Sequence, residues 1–221
     1  MSAAETLIDQ TPGKPPVRGF LHRPFPTAQA ALVLTHGAGS NCGAPLLVAI
    51  AEAFAANGFA VLRCDLPFRQ ARPHGPPFGK GEQDRAGLRR ALEVICEIEP
   101  VPTFLGGHSY GGRQASMLAA EDAAIAAGLL LLSYPLHPPD KPAQLRTAHF
   151  SKLHTRSLFV HGCRDPFGSL DEMQSARALI PAQTELLHIE GAGHDLGRGR
   201  YDELAQRILA AFRKLMIPLA A

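Results

Sequence analysis

Residues 103–113 read Thr103-Phe104-Leu105-Gly106-Gly107-His108-Ser109-Tyr110-Gly111-Gly112-Arg113. An apolar run enters a G-x-S-x-G pentapeptide here, and a stretch of helical character, Arg113 to Ala120, leaves it. The pentapeptide alone is a weak signal, but a serine placed between a strand and a helix is a specific one. A sharp strand-to-helix turn needs small residues on both sides of the serine, because side chains there would collide with neighbouring backbone. Gly107 and Gly111 meet that need. Such a turn holds Ser109 strained and exposed at the edge of a sheet, with its hydroxyl at the positive end of the following helix.

Outward from this turn the chain alternates short apolar runs with longer segments of helical period, the pattern of parallel strands joined by crossover helices. The runs Ala31 to Thr35, Phe59 to Arg63, Thr103 to Gly106, Leu129 to Leu132, Ser157 to Val160 and Glu185 to Ile189 are mostly continuous, as in strands covered on both faces. Leu46, Leu47, Ile50 and Phe54 recur at helical spacing until Asn57-Gly58, and Leu88, Leu92 and Ile95 repeat the pattern. Leu204, Ile208, Phe212 and Leu215 do likewise near the end of the chain. The fold class is α/β. Pro12, Gly13, Pro15 and Pro16 make residues 1–16 a flexible lead-in, and one domain over residues 17–221 is expected. Residues 65–81 and 134–156, both rich in proline, are long loops at the C-terminal ends of strands, where open α/β sheets place ligands.

A serine hydroxyl is a weak nucleophile at neutral pH and needs a general base, itself oriented by a third group. His194, in the small-residue loop Gly191-Ala192-Gly193-His194-Asp195, is the candidate base. His188, inside a strand, and His161, at a strand end, compete with it but lack the open loop position. Asp165 follows the preceding strand and is the expected orienting carboxylate, with Asp195 and Asp171 as alternatives. Thr35-His36-Gly37-Ala38-Gly39 closes another strand, so the backbone N–H groups of Ala38 and Tyr110 are candidate oxyanion-hole donors. His36 and His108 are read as supports of turn geometry. Arg69, Arg72, Arg85, Arg89 and Arg90 are expected to be solvated.

The 221 residues, 46% hydrophobic and 19% charged, suffice for one core but not for two ordinary enzyme domains. A formal charge of +2 falls short of the basic balance of a nucleic-acid binder, and no apolar run approaches the ~20 residues of a membrane span. The first residues do not read as a secretory signal, which makes the cytoplasm the default location. Cys42, Cys64, Cys96 and Cys163 form no C-x-x-C pair and are read as reduced thiols, and ten scattered histidines show no metal-ligand spacing.

The order Ser109, Asp165, His194 is that of the α/β-hydrolases. Over roughly residues 30–212 the chain resembles their small lidless group, related to dienelactone hydrolases and to the testis-expressed and NSL-complex hydrolase-like proteins. The narrower likeness rests on Phe104 to Arg113, on Ser133-Tyr134-Pro135-Leu136-His137-Pro138-Pro139, on Gln144-Leu145-Arg146, and on Leu158-Phe159-Val160-His161-Gly162 leading to Asp165. The resemblance implies a central parallel sheet with helices on both faces and one antiparallel pair near the N-terminus. It also implies Ser109, Asp165 and His194 as a triad, and a hydrolase without cofactor. Residues 134–156 are too few for a helical cap, so an open site walled by Phe68, Tyr134, Leu136, His137 and Phe167 is expected, selective for small or terminal acyl groups. The expected function is cleavage of a carboxylic ester or related acyl bond in a small molecule, with no nucleic-acid or membrane partner. The alternative is a catalytically idle scaffold that serves as a protein-interaction module.

Overall fold

The computed structural model describes residues 4–79, 81–197, 199 and 201–216. Eight strands form one sheet: β1 (Glu5–Asp9), β2 (Val17–His22), β3 (Ala30–Thr35), β4 (Phe59–Cys64), β5 (Thr103–His108), β6 (Leu129–Leu132), β7 (Ser157–Gly162) and β8 (Thr184–Ile189). Their spatial order is β1-β2-β4-β3-β5-β6-β7-β8. The six strands from β3 to β8 run parallel, whereas β1 pairs antiparallel with β2 and β2 with β4. The helices are α1 (Pro45–Ala55), α2 (Pro67–Ala71), α3 (Glu82–Ile98), α4 (Tyr110–Glu121), α5 (Leu170–Arg177) and α6 (Tyr201–Met216). The sheet is open, helices cover both faces, and among the described residues no cap domain interrupts it.

Alternation along the central strands divides the core into two layers. Val33, Leu62, Leu105, Leu131 and Phe159 face the layer that includes residues of α3 and α4, while Leu32, Leu34, Val61, Leu130 and Val160 face α1 and α6. In the second layer Phe54, Phe59, Phe104 and Phe212 form a cluster with ring centroids 5.0–6.3 Å apart. Phe212 is fully buried, and so are Leu32, Leu34 and Ile50. Each such side chain contributes roughly 1.5–3 kcal/mol by leaving water.

Two expectations change. Glu5–Asp9 is not part of a loose lead-in but pairs along its length with β2, and residues 1–3 lie outside the described residues. Arg90 ties this edge to α3, with Nε donating to Asp9 Oδ2 at 2.9 Å and Nη1 donating to Glu93 and Glu97. Residues 65–81 are not irregular throughout, because α2 forms within them. Pro67 supplies the fixed φ of a first helical residue, and the buried Asp84 accepts the Phe68 N–H at 3.0 Å, satisfying a free donor of the first turn. Between β6 and β7 there is only a single 3-10 turn, Phe150–Lys152. None of the helices among the described residues is long and apolar enough to cross a membrane.

Candidate active site

The C-terminal ends of β3, β5, β7 and β8 converge. Strand β5 runs directly into Ser109, which sits at φ 51° and ψ −115° before α4 begins. This left-handed conformation in a residue other than glycine marks a strained turn. The tightness has an identifiable cause: a Cβ on Gly107 would lie 2.7 Å from backbone atoms of Gly111 and Gly112, and one on Gly111 would lie 2.6 Å from the His36 carbonyl.

The imidazole of His194 reaches Ser109 from the loop after β8. The Ser109 hydroxyl donates to His194 Nε2 at 2.8 Å, and His194 Nδ1–H donates to Asp165 Oδ2 at 2.8 Å. A carboxylate accepts only, which assigns the proton to Nδ1 and leaves Nε2 free to accept. The Asp165 side chain is fully buried, while that of His194 remains 23% exposed. Phe167 N–H holds the other oxygen of Asp165 at 2.9 Å, and the Phe167 ring stacks on His194 with centroids 4.2 Å apart. The two loops are joined by the Arg164 N–H, which donates to the Ala192 carbonyl at 2.8 Å.

The competing residues stand elsewhere. Asp195 and Asp171 are exposed, and Asp195 accepts from Gly197 N–H. His188 is exposed beside Glu190, at 3.5 Å. His161 is buried behind Asp165, its Nδ1 3.8 Å from Oδ2 and its Nε2–H donating to the Gly168 carbonyl at 2.7 Å.

The turn after β3 lies against Ser109, since a Cβ built on Gly37 would come within 3.4 Å of Ser109 Cβ. His36 Nδ1–H donates to the Gly37 carbonyl at 2.9 Å, and Ser40 N–H donates to the same oxygen at 3.1 Å. In a trans peptide the N–H points opposite to the carbonyl, so these two bonds fix the direction of the Ala38 N–H. Tyr110, the first residue of α4, has an N–H without an intrahelical acceptor. Its phenol is anchored to Asp84 at 2.7 Å.

Arg69 and Arg90 are not solvated as expected; both are buried. The Arg69 guanidinium donates to the carbonyls of Ala38 at 2.7 Å, Ser40 at 2.8 Å and Pro73 at 2.8 Å, clamping the 38–40 turn onto the following loop. Sequence reasoning missed this role, because nothing in the pattern Leu66-Pro67-Phe68-Arg69 shows which carbonyls the arginine will meet. Arg72, Arg85 and Arg89 are engaged locally: Arg72 with Pro76, Arg85 with Gln114 and Arg89 with Asp122.

The expected pocket walls divide. Phe167 touches His194, but Tyr134 and Leu136 are completely buried and cannot line an open site. The Tyr134 ring packs on Phe150 and Phe159 and its hydroxyl reaches the Arg146 carbonyl at 2.6 Å, which makes it a core residue. His137 is buried too, with Nδ1–H bonded to the Pro138 carbonyl. Phe68 is buried between His36, Tyr110 and Arg69.

His108 Nε2–H donates to the His194 carbonyl at 2.8 Å, so the residue before the serine holds the backbone of the histidine that contacts it. Burial depresses the His108 imidazole to about 4, and the same cause brings His22 and His149 to about 4. The unfolded chain takes up protons at these rings near 6.5, whereas the fold resists them. Their stability contribution is therefore complete above about pH 6.5 and lost as pH falls toward 4. The thermal midpoint is expected to drop across that interval; a midpoint that holds constant or rises on acidification contradicts the assignment of these rings as neutral.

Comparisons with known proteins agree with this architecture. A family model described as an alpha/beta hydrolase domain matches residues 28–214. Among solved structures, the dienelactone hydrolase from Anabaena variabilis is 20% identical, with TM-score 0.77, covering 97% of this chain and 98% of its own. A serine hydrolase without a lid from Xanthomonas campestris is 17% identical, with TM-score 0.75, covering 100% and 98%. Est1E from Butyrivibrio proteoclasticus is 16% identical, with TM-score 0.76, covering 97% and 99%. With a matched region that spans the sheet from the end of the antiparallel pair to the last helix, and with the strained serine at the end of β5, the chain belongs to the α/β-hydrolase family.

Proposed function

We propose that the protein is a serine hydrolase of carboxylesterase type that cleaves small acyl compounds through an acyl-enzyme. The observation that carries this reading is the unbroken relay from Asp165 through His194 to Ser109, with both hydrogen bonds at 2.8 Å. A chain of buried acceptor, oriented imidazole and strained hydroxyl is what activation of a serine requires.

Ser109 Oγ attacks the carbonyl carbon as its proton passes to His194 Nε2. Asp165 stabilises the imidazolium that results. The carbonyl oxygen becomes an oxyanion, received by the N–H groups of Ala38 and Tyr110, each such donor contributing ~3–4 kcal/mol to the transition state. His194 then gives the proton to the leaving alkoxide, and the C–O bond breaks. Water repeats the sequence on the acyl-enzyme, with His194 again accepting and returning a proton, and Ser109 is restored.

The short connection between β6 and β7 leaves the site without a cover, which favours small acyl groups over long chains that need a tunnel. One neighbour in fold, Est1E, has been solved with ferulic acid bound, and methyl ferulate therefore joins p-nitrophenyl acetate, butyrate and palmitate in the test panel. We expect kcat/KM for acetate and butyrate to exceed that for palmitate by about tenfold or more. Silence of the folded protein across the panel overturns the enzyme reading, and a preference for palmitate overturns the open-site reading.

A further inference from the structure

Helix α4 borders a cavity of about 510 Å³ whose lining includes none of Ser109, Asp165 and His194. Such a volume suits a small ligand. Arg113, Arg146, His149 and Lys152 supply its polar wall, and Met117 and Leu145 part of its apolar wall. Glu121, the one acidic residue among its described lining residues, is taken by Arg85, whose Nε lies 2.8 Å from Oε1.

Among the described residues, neither Arg113, Arg146 nor Lys152 has a carboxylate within ion-pair distance. Arg113 Nε is buried and has no hydrogen-bond partner among the described residues, while the rest of the guanidinium meets the Tyr134 hydroxyl. Among the described residues, Arg146 donates only from Nη1, to the Pro135 carbonyl at 3.3 Å. Ser116 donates its hydroxyl proton to the Arg113 carbonyl at 2.9 Å, so His149 Nε2–H must be the donor in the 2.8 Å contact with Ser116 Oγ. Burial, and after it the Arg113 charge, lowers the pKa of both Arg146 and His149. Like charges gathered at a partly desolvated wall repel unless an anion joins them.

We propose that this cleft is an anion site, holding the carboxylate or phosphate headgroup of a small organic molecule between Arg113 and Arg146, with a short apolar body against Met117 and Leu145. Guanidinium groups suit either headgroup through paired N–H donors.

Calorimetric titration of the full chain with phenyl phosphate, phenylacetate and benzyl alcohol tests it. Saturable binding of at least one anion and none of the alcohol is expected. Tighter binding of phenyl phosphate identifies a phosphate headgroup, and equal or tighter binding of phenylacetate a carboxylate. Arg113→Gln and Arg146→Gln should each weaken binding about tenfold or more, as expected for loss of a charge-assisted contact. Arg113→Gln should not lower the thermal midpoint of the free protein. Met117→Glu places a carboxylate in the cleft and is expected to block the anion while raising that midpoint, which keeps the test decisive if an arginine variant folds poorly. The proposal is overturned if neither anion saturates, if benzyl alcohol binds as tightly as the anions, or if the folded variants bind as the wild type does.

Discussion

Replacement of Ser109 by alanine is expected to lower kcat for a short-chain ester by roughly 10⁴- to 10⁶-fold while the thermal midpoint stays close to that of the wild type. The substitution removes one oxygen from a half-buried position and keeps a Cβ, so the strain at φ 51° is unchanged. Asp165→Asn should cost about 10⁴-fold by a different route. An amide nitrogen facing His194 Nδ1 forces that atom to accept, which moves the ring proton to Nε2 and leaves nothing to take the serine proton. Steady-state kinetics on both variants separate the two effects from simple loss of fold. A Ser109→Ala protein that retains wild-type turnover would place the chemistry elsewhere.

The second large effect concerns the turn itself. Gly107→Ala is expected to destabilise the protein by about 2–3 kcal/mol, an overpacking cost, and to lower the thermal midpoint by roughly 5–10 °C at this chain length. The added Cβ meets backbone atoms of Gly111 and Gly112 at 2.7 Å, and backbone on both sides of the elbow has no free direction of retreat. Gly39→Ala is the matched control, because a Cβ there meets nothing within 4 Å. Equal midpoints for the two variants would mean that the elbow is looser than its geometry implies.

Much of the fold was legible because parallel strands covered on both faces announce themselves as continuous apolar runs. The runs at Ala31, Phe59 and Leu129 became β3, β4 and β6 with ends shifted by at most one residue. Strand β1 escaped notice for the opposite reason: Glu5, Thr6, Ile8 and Asp9 leave only Leu7 to pack on the core, and its register depends on β2 and on Arg90 from α3. Helix α2 is five residues long, too short to show a period, and is stabilised by Asp84 from a distant element.

The candidate site was legible in its chain order and in the small residues around Ser109, since both are local properties. The choice among Asp165, Asp171 and Asp195 was not local; it depends on β7 and β8 being neighbours in the sheet, so that their end loops meet. Tyr134 and Leu136 were misread as walls because a loop rich in proline gives no sign of which side chains turn inward. His108 and Arg69 act on backbone carbonyls, and those partners appear only once the chain is folded.

The most direct test is to treat the folded wild-type protein with a fluorophosphonate and locate the adduct by peptide mass spectrometry. A single adduct on Ser109, absent from Ser109→Ala and much slower to form in a His194→Ala variant, is the predicted result. A folded protein that stays unmodified, or one that reacts equally well without Ser109, contradicts the account and leaves the α/β-hydrolase fold as a scaffold for some other task.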